Sequence, residues 1–189
     1  MWKAAKHLTM TLTVALAFAF AFRATAFATY FIPSESMVPT LEVGDRLAVS
    51  KYAYGWSRHS VPSLALPHRF TARVLASLPE RGDVAIFVHP REKMTMVKRV
   101  IGLPGDLISF RNGRLYINRK RVPRTFVRSY RYREHEGFVV RVHQYSERLP
   151  GGREHTIIER SDRHPGDDMA EIRVPAGHLF MAGDNRIAR

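Results

Sequence analysis

Two serines, Ser34 and Ser36, lie one residue apart between Pro33 and Pro39. Proline fixes φ near about −65° and keeps the preceding residue out of a helix, so this stretch presents its hydroxyls from a stiff, extended backbone. A serine hydroxyl becomes a nucleophile only beside a base. The nine histidines are scattered without metal-ligand spacing, and each reads as a surface residue, His155 and His164 in polar sequence among them. The chain has no Gly-x-Ser-x-Gly elbow, no Gly-x-x-x-x-Gly-Lys phosphate loop and no His-Glu-x-x-His pair. With no cysteine, disulfides, thiolate metal sites and cysteine nucleophiles are excluded. The base that remains is Lys98. In Met94-Thr95-Met96-Val97-Lys98-Arg99-Val100-Ile101 a strand period puts Met94, Met96, Lys98 and Val100 on one face and Arg99 on the other. A lysine of pKa about 10.4 is neutral in about one molecule in 2500 at pH 7. Burial disfavours the ammonium, and a desolvated lysine can take a proton from serine. The plainer alternative is a strand-edge lysine whose ammonium reaches water.

The elements around these residues read as short antiparallel strands. Residues 41–45 form a strand end and turn, and 46–51 a strand with Leu47 and Val49 on one face. Residues 55–82, punctuated by Gly55, Pro62, Pro67, Pro79 and Gly82, read as a long surface loop with one short helix over 71–78. A strand over 83–88 precedes the lysine strand, which ends in the Gly102-Leu103-Pro104-Gly105-Asp106 turn. Asn112-Gly113, flanked by 107–110 and 114–117, is the strongest short hairpin signal available. A further strand is expected over 122–127. Residues 129–168, dense in Arg, Glu and His, read as an exposed, extended segment with strand-like islands at 138–142 and 155–159. Strands over 171–174 and 178–181 close the chain. The expected class is mostly β, an antiparallel β-sheet catalytic domain with a smaller β-rich extension.

The only long apolar run precedes all of this. Residues 8–22 are uncharged, Arg23 interrupts, and 24–32 are apolar again except for threonine. About 20 helical residues cross a bilayer core, so a tilted spanning helix fits, with Arg23 snorkelling and Tyr30 and Phe31 at the interface. Lys3 and Lys6 favour a cytoplasmic amino terminus. A removable signal peptide ending at Ala24-Thr25-Ala26 or Ala26-Phe27-Ala28 fits equally well, and both readings put residue 33 onward outside the cytoplasm. The formal net charge is +13. Such a surface attracts anionic lipid or nucleic acid. Basic residues are interleaved with acids and no nucleic-acid motif is present, so a solvated basic surface without nucleic-acid binding is expected.

Three stretches together are similar to one family. Ser34-Glu35-Ser36-Met37-Val38-Pro39-Thr40 resembles the Ser-x-Ser-Met-x-Pro-Thr box of bacterial type I signal peptidases, the leader peptidases of the serine–lysine class. Residues 97–106 resemble that family's lysine box, and 174–186 its last box. Order, spacing and the preceding apolar run agree. The resemblance implies a membrane-bound endopeptidase that removes signal peptides from exported preproteins after Ala-x-Ala, needing no cofactor and no metal. It assigns Ser36 as nucleophile, Lys98 as general base, and the Ser36 N–H and Ser34 hydroxyl as the oxyanion hole. Ile32, Met37, Leu41 and Val97 would line shallow pockets for the alanines. Arg99, Asp106, Gly183, Asp184, Asn185 and Arg186 would give structural support. Its domains would be a cytoplasmic tail over 1–7, a retained transmembrane helix over 8–29 and a β-rich peptidase domain over 33–189, with 128–170 a variable inserted subdomain. The implied location is the bacterial inner (plasma) membrane, single-pass, with the catalytic domain on the periplasmic side. Its partners would be preproteins and membrane lipid, beside the secretion translocon.

The likeness breaks at one point. In the family Gly-Asp-Asn-Arg leads into x-x-Ser-x-Asp-Ser-Arg, whose serine orients the lysine and whose Asp and Arg brace the site. Here Arg186 is followed by Ile187-Ala188-Arg189, so the C-terminal end reads as truncated. An alternative expectation is therefore a catalytically impaired or inactive signal-peptide-binding homologue. A self-cleaving repressor-type Ser–Lys protease is a third, opposed by the apolar run and by the lack of a DNA-binding helix pair.

Overall fold

The apolar run folds as one helix, α1 (Trp2–Ala26), and the chain leaves it directly into β1 (Phe27–Phe31). A computed structural model describes residues 2–55, 76–134, 137–160 and 168–187 of the chain. The helix therefore starts earlier and ends sooner than the expected 8–29 span. Residues 27–29 are taken by strand pairing: β1 runs antiparallel to β2 (Arg46–Ser50), from Phe27 opposite Ser50 to Phe31 opposite Arg46. Leu8, Leu12, Leu16, Phe18 and Phe20 are all exposed along α1. Polar residues interrupt its surface: the hydroxyls of Thr9, Thr11 and Thr13 donate back to the carbonyls of Ala5, His7 and Thr9. Among the described residues no helix is long and apolar enough to cross a membrane, so the expected transmembrane helix is not matched at that level. Contacts divide the chain into two units, Met1–Phe31 with Arg46–Leu78, and Ile32–Asp45 with Pro79–Arg189. The elements above belong to the first. Most of the loop expected between them, and most of the short helix expected over 71–78, lie outside the described residues; residues 76–78 are not helical.

The second unit is built from antiparallel sheets. A single 3₁₀ turn (Glu35–Met37) is followed by β3 (Val84–Val88), β4 (Thr95–Gly102), β5 (Leu107–Arg111), β6 (Arg114–Ile117) and β7 (Lys120–Arg121). Then come β8 (Arg124–Arg133), β9 (Val139–Arg148), β10 (Glu154–Glu159), β11 (Met169–Arg173) and β12 (Phe180–Ala182). They pair as β12-β4-β3, β11-β5-β6-β7 and β10-β9-β8. Asn112 and Gly113 both have positive φ, 50° and 69°, as the two-residue turn between β5 and β6 requires. Ile101, Ile108, Phe110, Leu115, Ile117, Val122, Leu149 and Val174 form the core. Alternation along β5 and β6 supplies half of that core, because one face of each strand turns inward.

Two expectations change here. The polar stretch after residue 128 is more regular than its composition predicts: β8 and β9 are ten residues each and pair along most of their length. Arginines and tyrosines on a two-sided ribbon need little apolar patterning, because cross-strand pairs and solvent satisfy them. The lysine strand is also not one apolar face opposed to one polar face. Met94 is 53% exposed at its start, whereas Val100 and Ile101 are both buried at its end, since β3 and β12 flank β4 there on either edge.

Candidate active site

Ser36 sits in the middle of the 3₁₀ turn. Ser34 before it is extended, at φ −131°, and Val38 after it is extended before the cis peptide to Pro39, so the turn is one isolated loop of chain between two stiff flanks. The hydroxyls of Ser34 and Ser36 lie 3.3 Å apart, within hydrogen-bond reach. Met37 is buried and acts as a peg beneath the turn, and its carbonyl accepts from the N–H groups of Thr40 and Leu41 at 2.8 and 3.0 Å.

The turn is held from the far end of the sequence. The Asn185 N–H donates to the Ser36 carbonyl at 3.2 Å, and Asn185 Nδ2 donates to the Glu35 carbonyl at 3.1 Å. A Cβ added to Gly183 would collide with that same Ser36 carbonyl, so only glycine allows the approach. Asp184 between them accepts from Thr40 Oγ1 at 2.5 Å and from Arg99 Nε and Nη2 at 2.8 and 2.6 Å. Arg99 also donates from Nη1 to the Gly82 carbonyl at 2.7 Å. The guanidinium fork on a carboxylate fixes both groups in one plane. Both are buried, and a buried charge is tolerated only when paired in this way.

Arg99 is the neighbour of Lys98 on β4, and β4 touches the 3₁₀ turn. Lys98 stands opposite Ala85 of β3 and is half-buried. Burial pushes its ammonium below the ordinary lysine value, and the Asp184 carboxylate pulls it part of the way back. A lowered value is what a lysine needs to act as a base.

The remaining expected residues fall in distinct places. Ile32 is 2% exposed and Met37 1%, so both contribute to packing and offer little surface to a ligand. Leu41 and Val97 are partly exposed. Asp106 closes the turn after β4: Leu103 N–H donates to its Oδ2 at 2.7 Å, Asn118 Nδ2 to its Oδ1 at 2.8 Å, and Arg81 pairs with it at 2.8 Å. Burial raises the Asp106 carboxyl, but Arg81 and these hydrogen bonds bring it below the usual range. Arg186 does not join the Ser36 turn. Its Nη1 and Nη2 fork onto Glu147 Oε1 and Oε2 at 2.8 and 2.6 Å, with its guanidinium over the Phe110 ring at 5.6 Å.

Several participants had no signal in the sequence. Glu147 is 1% exposed, and in register it stands between Arg124 of β8 and His155 of β10. His155, expected at the surface, is buried: its Nε2 lies 3.4 Å from Glu147 Oε2 and 3.9 Å from Asp184 Oδ1. Burial lowers its pKa to about 4, outweighing the two carboxylates, so the ring is neutral at pH 7. The surface expectation fails because a histidine flanked by Glu154 and Thr156 reads as solvated, while its partners are eight and 29 residues away. Within β10 the buried residues are His155, Ile157, Ile158 and Glu159, so no apolar–polar alternation marks an inward face. His164 lies outside the described residues.

Residues 5–188 match the family described as signal peptidase, peptidase S26. The chain is 40% identical to a Pseudomonas aeruginosa protein named Signal peptidase I, over 82% of this chain and 50% of that one. It is 34% identical to proteins of the same name from Rickettsia prowazekii, over 83% of this chain and 61% of the relative, and from Rickettsia bellii, over 87% and 58%. The chain thus spans about half to three fifths of the length of these relatives. With its sequence matched almost end to end, the chain belongs to the peptidase S26 family of signal peptidases.

Proposed function

We propose that the protein is a signal peptidase I, a serine endopeptidase that cleaves signal peptides from exported preproteins after small residues. The observation that supports this reading most is the meeting of three distant segments: the Ser36 turn, the strand carrying Lys98, and residues 183–186, which bond to both through Asn185 and Asp184. Family membership supplies the reaction class.

In this reading neutral Lys98 takes the proton of the Ser36 hydroxyl as Oγ attacks the scissile carbonyl carbon. The carbonyl oxygen becomes negative and is met by the Ser36 N–H and the Ser34 hydroxyl. Donors fixed before the charge appears lower the barrier by on the order of 3 kcal/mol each. The C–N bond then breaks, the Lys98 ammonium returns the proton to the leaving amine, and water hydrolyses the acyl ester by the reverse use of the same base. Leu41 and Val97, being partly exposed, are better placed than Ile32 and Met37 to meet a small side chain. Arg99, Gly183, Asp184 and Asn185 act as supports.

We place the enzyme at the plasma membrane, single-pass, with residues 1–7 cytoplasmic and the peptidase domain from residue 33 outside, near the secretion translocon. The exposed apolar side chains of α1 and the absence of any acid before Glu35 support association with an anionic bilayer. Carbonate extraction and protease protection of membranes test this topology; release into the soluble fraction would refute it. The chemistry is tested with the full chain and a preprotein ending its signal in Ala-x-Ala. Cleavage is expected, with loss of turnover in Ser36→Ala and Lys98→Ala. Unimpaired cleavage by Lys98→Ala excludes the dyad, and binding without turnover by the unaltered chain excludes the enzyme.

A further inference from the structure

The loop after Ser36 borders a cleft of about 620 Å³ that the reaction just described does not use. Pro39 and Thr40 form one side, and the inner face of the three-stranded sheet, with Arg128, Tyr130, Tyr132 and His155, forms another. A second cavity of about 420 Å³ shares Val38, Glu42 and Tyr132 with it and reaches Glu35, the residue before Ser36. The two adjoin at those shared residues, so together they extend from Glu35, next to Ser36, along β8.

Its chemistry differs from that of a pocket for alanine. The Arg128 guanidinium lies over the Tyr130 ring at 5.0 Å and donates from Nε to Gln144 Oε1 at 2.9 Å, which holds the pair as a flat platform. Burial and the neighbouring Glu35 carboxylate raise the Tyr132 phenol, so it stays a hydrogen-bond donor. Glu35, Glu42 and Glu134 supply negative charge and Arg128 and Arg133 positive charge along the same groove. His155 lies at the cleft wall with its side chain only 2% exposed, its Nε2 3.4 Å from Glu147 Oε2, so it shapes the wall more than it offers a free group. Tyrosine and arginine platforms with charge of both signs are what protein–peptide contacts use.

We propose that this groove binds the mature part of the substrate, the polar polypeptide on the carboxyl side of the scissile bond. A signal sequence brings small, apolar residues to the bond, whereas the chain beyond it is polar and variable, and only the latter matches these walls. The proposal rests on the peptidase reading above and adds a site to it.

The test uses the full chain and one signal sequence followed by either two or twelve mature residues. The longer substrate is expected to have a kcat/KM about tenfold higher, carried by KM; about tenfold corresponds to one well-buried anchor. Arg128→Ala and Tyr130→Ala should bring the ratio of long to short near one, while Arg131→Gln keeps it. A ratio of one in the unaltered chain, or a ratio untouched by Arg128→Ala and Tyr130→Ala, overturns the proposal. Independence from turnover comes from Ser36→Ala protein and a preprotein with a benzophenone five residues after the bond. Crosslinks to β8 or residues 38–42 support the groove even if the unaltered chain cleaves nothing. Crosslinks only elsewhere, or the same crosslinks from a benzophenone on the signal side, refute it.

Discussion

Residues 183–186 and the outward face of the β8–β9 ribbon are both rich in arginine contacts, and they use them in opposite ways. In the first region every guanidinium is matched: Arg99 forks onto Asp184, and Arg186 forks onto Glu147, all four buried. In the second, Arg131 stands directly opposite Arg141, and among the described residues neither has a carboxylate partner. Both are exposed. The same side chain is a structural element where water is excluded and a solvated charge where it is not. What decides is the cost of leaving its partner alone, since a buried charge stripped of its mate loses far more than the pair contributes.

The largest expected effect follows from that. Asp184→Ala leaves Arg99 buried without its carboxylate and Thr40 without its acceptor, and should cost about 3–5 kcal/mol in urea unfolding. The double replacement Arg99→Met with Asp184→Leu should recover much of it; a simple sum of the single losses would contradict the argument. Next is Gly183→Ala. The added methyl meets the Ser36 carbonyl, so the turn must shift, and a displacement of about 1 Å lowers cleavage about 10²-fold. Unchanged kcat/KM would show that Ser36 does not depend on this contact.

A pH measurement separates His155 from the charges around it. Its folded pKa is lowered to about 4 from the ordinary 6.5, so the unfolded chain binds the extra proton between these values. Stability from this group is therefore complete above about pH 6.5 and is lost as pH falls towards 4. His155→Gln should flatten the urea midpoint over that window. Glu147 acts lower: burial raises its carboxyl, but Arg186 overrides this and holds it below the ordinary range. Its contribution persists above the unfolded carboxylate value and disappears as pH falls through its folded one. The smallest effect belongs to the ribbon. Arg131→Gln removes a like-charge pair set directly across two strands, so stability should stay within about 0.5 kcal/mol or rise slightly. A loss above about 1 kcal/mol would mean that the ribbon arginines have a protein partner.

Local chemistry made part of this legible in the sequence. Asn112-Gly113 can serve few purposes but a hairpin, and β4 reads as a strand from its branched residues alone. The Ser36 and Lys98 stretches stood out through their resemblance to the boxes of a known family, since residue type alone left Lys98 open as a strand-edge lysine. The buried charge cluster was not legible. Arg124, Glu147 and His155 face inward across three strands, and inward charge defeats any rule that assigns apolar residues to the core. Their partners are also remote, with Arg99 and Asp184 separated by 85 positions. The end of α1 was lost for a related reason: Phe27–Phe31 suits helix or strand, and its pairing with β2, contributed from further along the chain, decides.

The stitch at 183–186 has a dynamic consequence. Ile158 N–H donates to the Asp184 carbonyl at 3.0 Å, Arg186 N–H returns to the Ile158 carbonyl at 2.8 Å, and Asn185 between them holds Ser36. Exchange of these three amides with deuterated solvent requires β10 and the serine turn to come apart in one opening event. They should therefore share one protection factor, and any ligand that orders the sheet should slow the loosening of the Ser36 turn by the same factor.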